Sequence, residues 1–328
     1  MNKASYNIKV QQFVAAISVL LFIVKMIAWL LTGSIAILTD AMESIVNVLA
    51  GFIGLSSLYI SARPRDMDHP YGHGKAEFIS AAIEGTLIFV TGFFIIYKAG
   101  MALLQPQPVR QLDWGILLLA AAGLINYIVG TVCVNTGKKN HSLALIASGK
   151  HLQTDTYTSV GILAGLAILY FTQIWWIDSV VAIAFALIII YTGAKIIRSS
   201  IAGIMDEADM QLLQNLVQTL NQNRSVNWID LHNLRIIKYG STLHLDCHLT
   251  VPWYFNVREA HHEIDRLSEL VKEKYGPSVE LFVHSDACME YSCAICSKTD
   301  CPVRLHPFTG SINWTMENIS QNKKHGSA

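Results

Sequence analysis

Charge is what this chain has least of. Only 15% of its 328 residues are Asp, Glu, Lys or Arg, against 52% hydrophobic residues, and the formal net charge is zero. A neutral balance offers no basic face to neutralise phosphates, which argues against nucleic acid as a partner. No cleavable secretory leader is expected either. The first apolar run, from near Phe13 to about Leu31, is longer than the roughly 7 to 15 residues of a signal-peptide core and has no small-residue cleavage site, so it is expected to stay as an anchor. Nor does any serine or cysteine sit in the context of an activated nucleophile, which weighs against a metal-dependent membrane hydrolase. Mean hydropathy is nevertheless +0.38 although the last third reads as soluble sequence, so the apolar residues must be concentrated in the first two thirds.

That portion holds six mostly apolar stretches, near 12–32, 35–60, 77–103, 112–136, 143–171 and 177–199. A helix of about 20 apolar residues crosses a ~30 Å hydrocarbon layer, so an α-helical membrane protein with six transmembrane helices is expected over residues 1–205. The connections near Gly33 and Gln173 are short, making hairpins of spans one and two and of spans five and six. Lys3, Lys9, Arg63, Arg65, Lys75, Lys138, Lys139, Lys150, Lys195 and Arg198 fall on one side of this arrangement and Arg110 on the other. The excess of basic residues marks the cytoplasmic side, which places both termini there.

Four polar side chains interrupt two of these spans: Glu43 and Asn47 in span two, His151 and Asp155 in span five. Each pair is spaced i, i+4, so its members share one helix face a turn apart. A carboxylate in hydrocarbon costs about 2.5–3.5 kcal/mol on insertion scales, so such groups face a bundle interior or an aqueous path. Two carboxylates, an amide oxygen and an imidazole also make a donor set for one divalent cation. The plainer alternative is that they bond helix to helix. Glu84 stands by itself in span three and fits either a proton path or a pairing role.

From Asp206 onward the periodicity changes. Met210, Leu213, Val217 and Leu220 form a helical stripe, followed by strand-like stretches Leu234–Tyr239 and Thr242–Val251. The second alternates Leu243, Leu245, Cys247, Leu249 and Val251 with His244, Asp246, His248 and Thr250, giving one apolar and one polar face. Asn256 with Glu259 three residues later caps a helix whose apolar positions are Val257, Ala260, Ile264, Leu267 and Val271. A third strand, Val279–His284, completes an αββαβ order over residues 206–287, expected as one sheet with both helices on one face. Residues 288–328 form a Cys-rich tail. Cys288, Cys293, Cys296 and Cys301 are spaced C-x4-C-x2-C-x4-C, with His306 just beyond. In a cytoplasmic tail thiolate ligation of zinc or another soft metal is favoured over a disulfide, with free thiols as the alternative. Cys133 in span four reads as a small apolar residue, and the segment beyond His306 reads as disordered.

Several motifs together carry a family resemblance. Asp66 to Glu77 reads DMDHPYGHGKAE, His151 to Asp155 reads HLQTD, and span six ends in IMDEAD. Over about residues 10–288 the chain resembles the cation diffusion facilitator family. The resemblance implies six spans, a ferredoxin-like cytoplasmic domain, and homodimers that exchange a divalent metal for protons. It further implies a transport site at Glu43, Asn47, His151 and Asp155, where relatives commonly carry Asp or His with Asp in span two. An amide in place of a carboxylate lowers the negative charge, so weaker affinity or altered metal choice follows. Asp40, seven residues before Asn47, reads as an entry or supporting group. The resemblance also implies a loop metal site at Asp66, His69 and His73 beside Asp68, and a charge pair between Lys75 and Asp206. In the cytoplasmic domain it implies a binuclear metal cluster at His232, His248, His261, His284 and Asp286. The expected cargo is zinc, with ferrous iron close behind and manganese or cobalt not excluded. Zinc or iron would serve as substrate and regulatory ligand without an organic cofactor, in a multi-pass protein of a bacterial inner membrane, embedded in the lipid bilayer. A membrane-anchored metal sensor without transport is the alternative, against which the lipid-embedded Glu43 and Asp155 count.

Overall fold

A computed structural model describes residues 3–32, 35–104, 113–172, 176–240, 242–276 and 278–326. The chain divides into two compact units, Met1–Met205 and Asp206–Ala328.

The first unit is helical: α1 (Lys3–Thr32), α2 (Ile35–Ser61), α3 (Ala76–Leu104), α4 (Asp113–Asn140), α5 (Leu143–Thr172) and α6 (Trp176–Ile204). Ser5–Ile27, Ala76–Met101, Leu117–Asn140 and Ala186–Ile204 are each long and apolar enough to cross a bilayer. Many side chains of α2 and α5 lie outside the described residues. Helices α3 and α6, α4 and α5, and α1 and α2 make the broadest contacts, and α5 also packs on α2, α3 and α6. The α3–α6 contact needs a missing side chain. A Cβ at Gly193 would stand 2.7 Å from the Phe89 amide nitrogen and 2.9 Å from the Gly85 carbonyl oxygen, so only glycine allows this backbone approach.

Polar groups inside this unit find partners on other helices. Gln11 donates to Ser148 Oγ (3.0 Å) and to the Gly51 carbonyl (3.1 Å). Ser148 in turn donates to Glu84 Oε2 (2.9 Å), and Ser80 donates to Glu84 Oε1 (3.4 Å). Glu84 is fully buried in this chain of bonds, which ties α1, α3 and α5 together and gives it a pairing role. Gly54 of α2 faces the same node; a Cβ there would lie 2.7 Å from Gln11 Nε2 and 2.8 Å from Glu84 Oε1. Glu77, also buried, accepts from Ser61 (2.9 Å) and from Ser142. Cys133 is fully buried and its thiol meets the Leu145 carbonyl, consistent with a packing role.

The second unit runs α7 (Met210–Gln222), β1 (Asp230–Tyr239), β2 (Thr242–Val251), α8 (Val257–Tyr275) and β3 (Val279–Ala287), then a 3-10 turn (Glu290–Ala294) and α9 (Met316–Ile319). Asp209 caps α7 by accepting from the Leu212 amide at 3.0 Å. Asn256 and Glu259 form the reciprocal capping box expected for α8. The sheet order is β1-β2-β3, antiparallel between β1 and β2 and parallel between β2 and β3. Leu243, Leu245, Cys247, Leu249 and Val251 turn one face into a core shared with Leu213, Leu216, Val217 and Leu220 of α7 and Leu267 and Val271 of α8. Both helices therefore cover the same face, and the histidine-bearing face is the other one.

Several expectations need correction. Met210 and Val257, read as apolar helix positions, are exposed, while Leu216 is buried in their stead on the core stripe of α7. Strand β1 starts at Asp230, four residues before the expected Leu234, because a bulge between His232 and Arg235 hides its alternation. His232 thus lies within β1, and β3 continues past His284 to Ala287. The segment beyond His306, expected to be disordered, is ordered through residue 326. Trp314 and Ile319 are buried in the α7–sheet core, the Arg224 guanidinium stacks 4.0 Å over the Trp314 ring, and the Asn233 amide donates to the Gln321 carbonyl. Replacing so buried an aromatic leaves a cavity. Trp314→Ala is expected to cost about 3–5 kcal/mol of local stability and to expose residues 306–326 to rapid proteolysis and hydrogen exchange, measured on the full chain in detergent.

Candidate metal centres

Helix α5 carries the buried pair His151 and Asp155, 4% and 6% exposed. The i, i+4 spacing puts both on one face, and α5 packs against α2, which bears Glu43 and Asn47. Both ring nitrogens of His151 lack a hydrogen-bond partner among the described residues. A buried imidazole left open at both nitrogens is a costly arrangement that a bound ion relieves. The side chains of Asp40, Glu43 and Asn47 lie outside the described residues.

The loop after α2 gathers Asp66, His69 and His73. Asp66 Oδ1 accepts from the His69 amide (2.7 Å) and lies 3.0 Å from His69 Nδ1, while Oδ2 is 3.3 Å from His73 Nε2. The two imidazoles face each other with centroids 4.3 Å apart. Their ligand atoms lie within 4.8 Å of one another, close enough for one ion to touch all three. Gly72, with φ 91°, makes the turn that brings His73 back toward Asp66. Lys75, just beyond, donates to the carbonyl of Ile204 at 3.3 Å.

A second cluster grows directly from sheet register. His232 pairs with His248, and His248 with His284, so three imidazoles form a row across β1, β2 and β3. Asp230, Thr250 and Asp286, two residues along each strand, form the adjacent row on the same face. Asp286 Oδ2 is 3.4 Å from both His232 Nε2 and His248 Nδ1, and Oδ1 is 3.8 Å from His284 Nε2. His232, His248 and Asp286 present ligand atoms within 4.8 Å of one another. Burial, then the neighbouring His232, moves His248 below the usual imidazole range and so favours its neutral, metal-binding form. His261 does not join this group within one chain. It stands exposed on α8, 3.7 Å from Asp265, and α8 packs on the opposite, leucine-bearing face of the sheet.

Three groups at this cluster had no place in the sequence reading. Asp230 is 3.5 Å from His232 Nδ1; Lys324 reaches Asp286 at 3.0 Å; His325 meets Asp230 through its amide (2.9 Å) and Nδ1 (2.5 Å). Asp230 was legible in principle, two residues before His232 on the same strand face. The chain's end gives no such signal, since its position depends on the burial of Trp314. Burial would raise the Asp230 carboxyl, but the bonds from His232 and His325 outweigh it and hold the group well below the ordinary carboxylate range. A depressed folded-state pKa stabilises the fold above the unfolded value of ~3.9, and this contribution fades as pH falls toward the folded value. Asp230→Asn is therefore expected to loosen residues 320–326 by about 2–4 kcal/mol at pH 7, charged hydrogen bonds being worth ~1.5–3 kcal/mol each. The difference from the parent chain should shrink below about pH 4, as read by hydrogen exchange at the two pH values.

All six cysteines are free thiols, and the four of the tail line one small cavity. Burial pushes the Cys288 thiol above its ordinary value, the Trp253 amide opposes this, and the nearby Cys296, Cys301 and Cys293 add to the rise.

Comparison with known proteins bears on the family of the chain. Residues 12–205 match the family model of the cation efflux transmembrane domain, and residues 209–288 that of the cytoplasmic domain of cation efflux proteins. Over 250 residues the chain is 32% identical to an uncharacterized transporter of Synechocystis, covering 76% of this chain and 81% of that one. It is 26% identical over 272 residues to the cation-efflux pump FieF of Shewanella oneidensis, covering 83% and 90% of the two chains. To the manganese efflux system protein MneS of Bacillus subtilis it is 28% identical over 256 residues, covering 77% and 86%.

Proposed function

The chain belongs to the cation diffusion facilitator family, and on that premise we propose that it exports a divalent transition metal from the cytoplasm in exchange for protons. Zinc is the first candidate, ferrous iron next, and the similarity to a manganese efflux system protein of Bacillus subtilis keeps manganese in range. The observation that carries the reading is His151: buried on a membrane helix beside Asp155, open at both nitrogens, on the helix that packs against the one bearing Glu43 and Asn47. An imidazole with carboxylate and amide oxygens suits zinc or iron and tolerates manganese or cobalt.

Exchange follows from the ligands themselves. Metal binding requires neutral His151 and ionised Glu43 and Asp155, so protons and metal compete for the same atoms. With access alternating between the two sides, protons from outside displace the metal, and metal from the cytoplasm displaces the protons. The functional unit is a homodimer with both termini cytoplasmic. The loop acids and histidines, and the row His232, His248 and His284 with Asp286, serve as further metal sites. Ions bound in the cytoplasmic domain bias the population of transport states.

Vesicles reconstituted with the full chain test this reading against zinc, iron, manganese and cobalt. Asp155→Ala is expected to cut flux about 100-fold or more, given that losing even a supporting group of a metal site costs ~10- to 100-fold. Unchanged flux in that variant would remove transport through this site, and metal binding with no flux in the parent would favour a sensor. Asn47→Asp restores a second carboxylate on α2, and is expected to tighten binding and shift selectivity among the four metals.

A further inference from the structure

The four cysteines of the tail fall outside both matched family regions except at Cys288, the last residue of the second. They approach from two directions. Cys288 follows β3 directly and is held by the sheet, its amide donating to the Val251 carbonyl (2.9 Å) and its sulfur accepting from the Trp253 amide (3.4 Å). Cys293 and Cys296 sit on and just after the 3-10 turn Glu290–Ala294, and Cys301 returns from the following bend. All four line a single cavity of about 20 Å³. A water needs ~10–15 Å³ on this scale, so the space suits one small ion and is too small for a multi-iron cluster.

We propose that Cys288, Cys293, Cys296 and Cys301 together bind one thiophilic divalent cation of the zinc class, as a structural site that holds the tail against the sheet. Zinc with four thiolates is a closed tetrahedral arrangement with bonds of about 2.3 Å. It leaves two negative charges, and Arg304 lines the same cavity together with Lys298, whose ammonium is also paired with Asp300 at 3.1 Å. Arg304 also braces the loop from inside, donating to the carbonyls of Cys293 (3.0 Å), Cys296 (3.0 Å) and Lys298 (2.6 Å). Among the described residues no three of the sulfurs are already mutually within 4.8 Å, as the acid–histidine clusters are. Closing on an ion requires sulfurs about 3.8 Å apart, from the Zn–S length, so binding draws the thiols inward across the cavity.

A second observation points the same way. The lobe between Cys288 and Ile312 has almost no core of its own: Ile229, Ile295 and Cys296, with Cys288 and Ile312 packed beside them. Chain segments this poor in buried apolar surface hold a fixed shape through disulfides or metal, and the thiols here are free. The site makes no use of the transport reading, and its test does not depend on flux.

The test is made on the full chain purified in detergent without added metal. About one equivalent more zinc should survive dialysis in the parent than in Cys293→Ser/Cys296→Ser, and His232→Ala/His248→Ala should keep that cysteine-dependent equivalent. Loaded with cobalt, the parent and the histidine variant should show intense sulfur-to-cobalt charge transfer, which the cysteine variant should lack. A thiol reagent supplies a check on the unmodified chain, independent of variant folding: four thiols should be protected with zinc present and react after chelation. Cobalt spectra unaffected by the cysteine substitutions, tail thiols equally reactive with and without zinc, disulfides among the four, or bound iron with acid-labile sulfide would each overturn the proposal.

Discussion

A polar group placed among apolar helices must find a partner in another helix, and the first unit is arranged around that requirement. Glu84 would be prohibitive to bury unbonded, so Ser80 from its own helix and Ser148 from α5 meet its two oxygens, and Gln11 of α1 extends the chain to the Gly51 carbonyl of α2. Four helices are thereby referenced to one carboxyl group. The packing responds to the same node, since Gly54 must lack a side chain to let the amide and carboxyl approach. Glu77, at the start of α3, repeats the device with Ser61 at the end of α2 and Ser142 just before α5. Apolar surface cannot fix register between helices surrounded by hydrocarbon, and these bonds can.

In the second unit the pleat of a sheet does comparable work. A period of two assigns the leucines of β2 to the helices and its histidines to the other side, and strand register then aligns His232, His248 and His284. Asp286 lies within 4 Å of all three imidazoles and of the Lys324 ammonium, so one carboxylate serves four groups that are cationic or can become so. Asp230 plays the same part for His232 and His325. The end of the chain is thus held to the histidine face by charge and to the core by Trp314.

Much of this was legible in the sequence, for identifiable reasons. Long apolar runs announce membrane helices because backbone bonds must be satisfied internally there, and the alternation of residues 243–251 announces a half-buried strand. The capping box at Asn256 and Glu259 is local, so it could be read locally. What escaped depends on partners distant in sequence. Trp314 is ordered by α7 and Arg224, about 90 residues upstream, and nothing in the polar stretch around it signals this burial. The bulge at Asn233, whose φ is 53°, breaks the period by which β1 would have been read from its true start. Within one chain α8 carries His261 to the leucine side of the sheet, a matter of packing and not of pattern.

Whether a buried polar group is closed or open separates its roles in a way that residue type cannot. Glu84 and His151 are both ionisable, both buried, and both on membrane helices. Spacing favours His151, which has a partner four residues on, over Glu84, which stands by itself. Glu84 has its two oxygens bonded to serines, and that closure leaves it little capacity to accept a ligand. His151 has neither nitrogen bonded among the described residues, so its desolvation cost stands until something enters to meet it. The first arrangement spends its bonds on helix register. The second leaves its ligating capacity unspent among the described residues, at a fixed place in an apolar bundle.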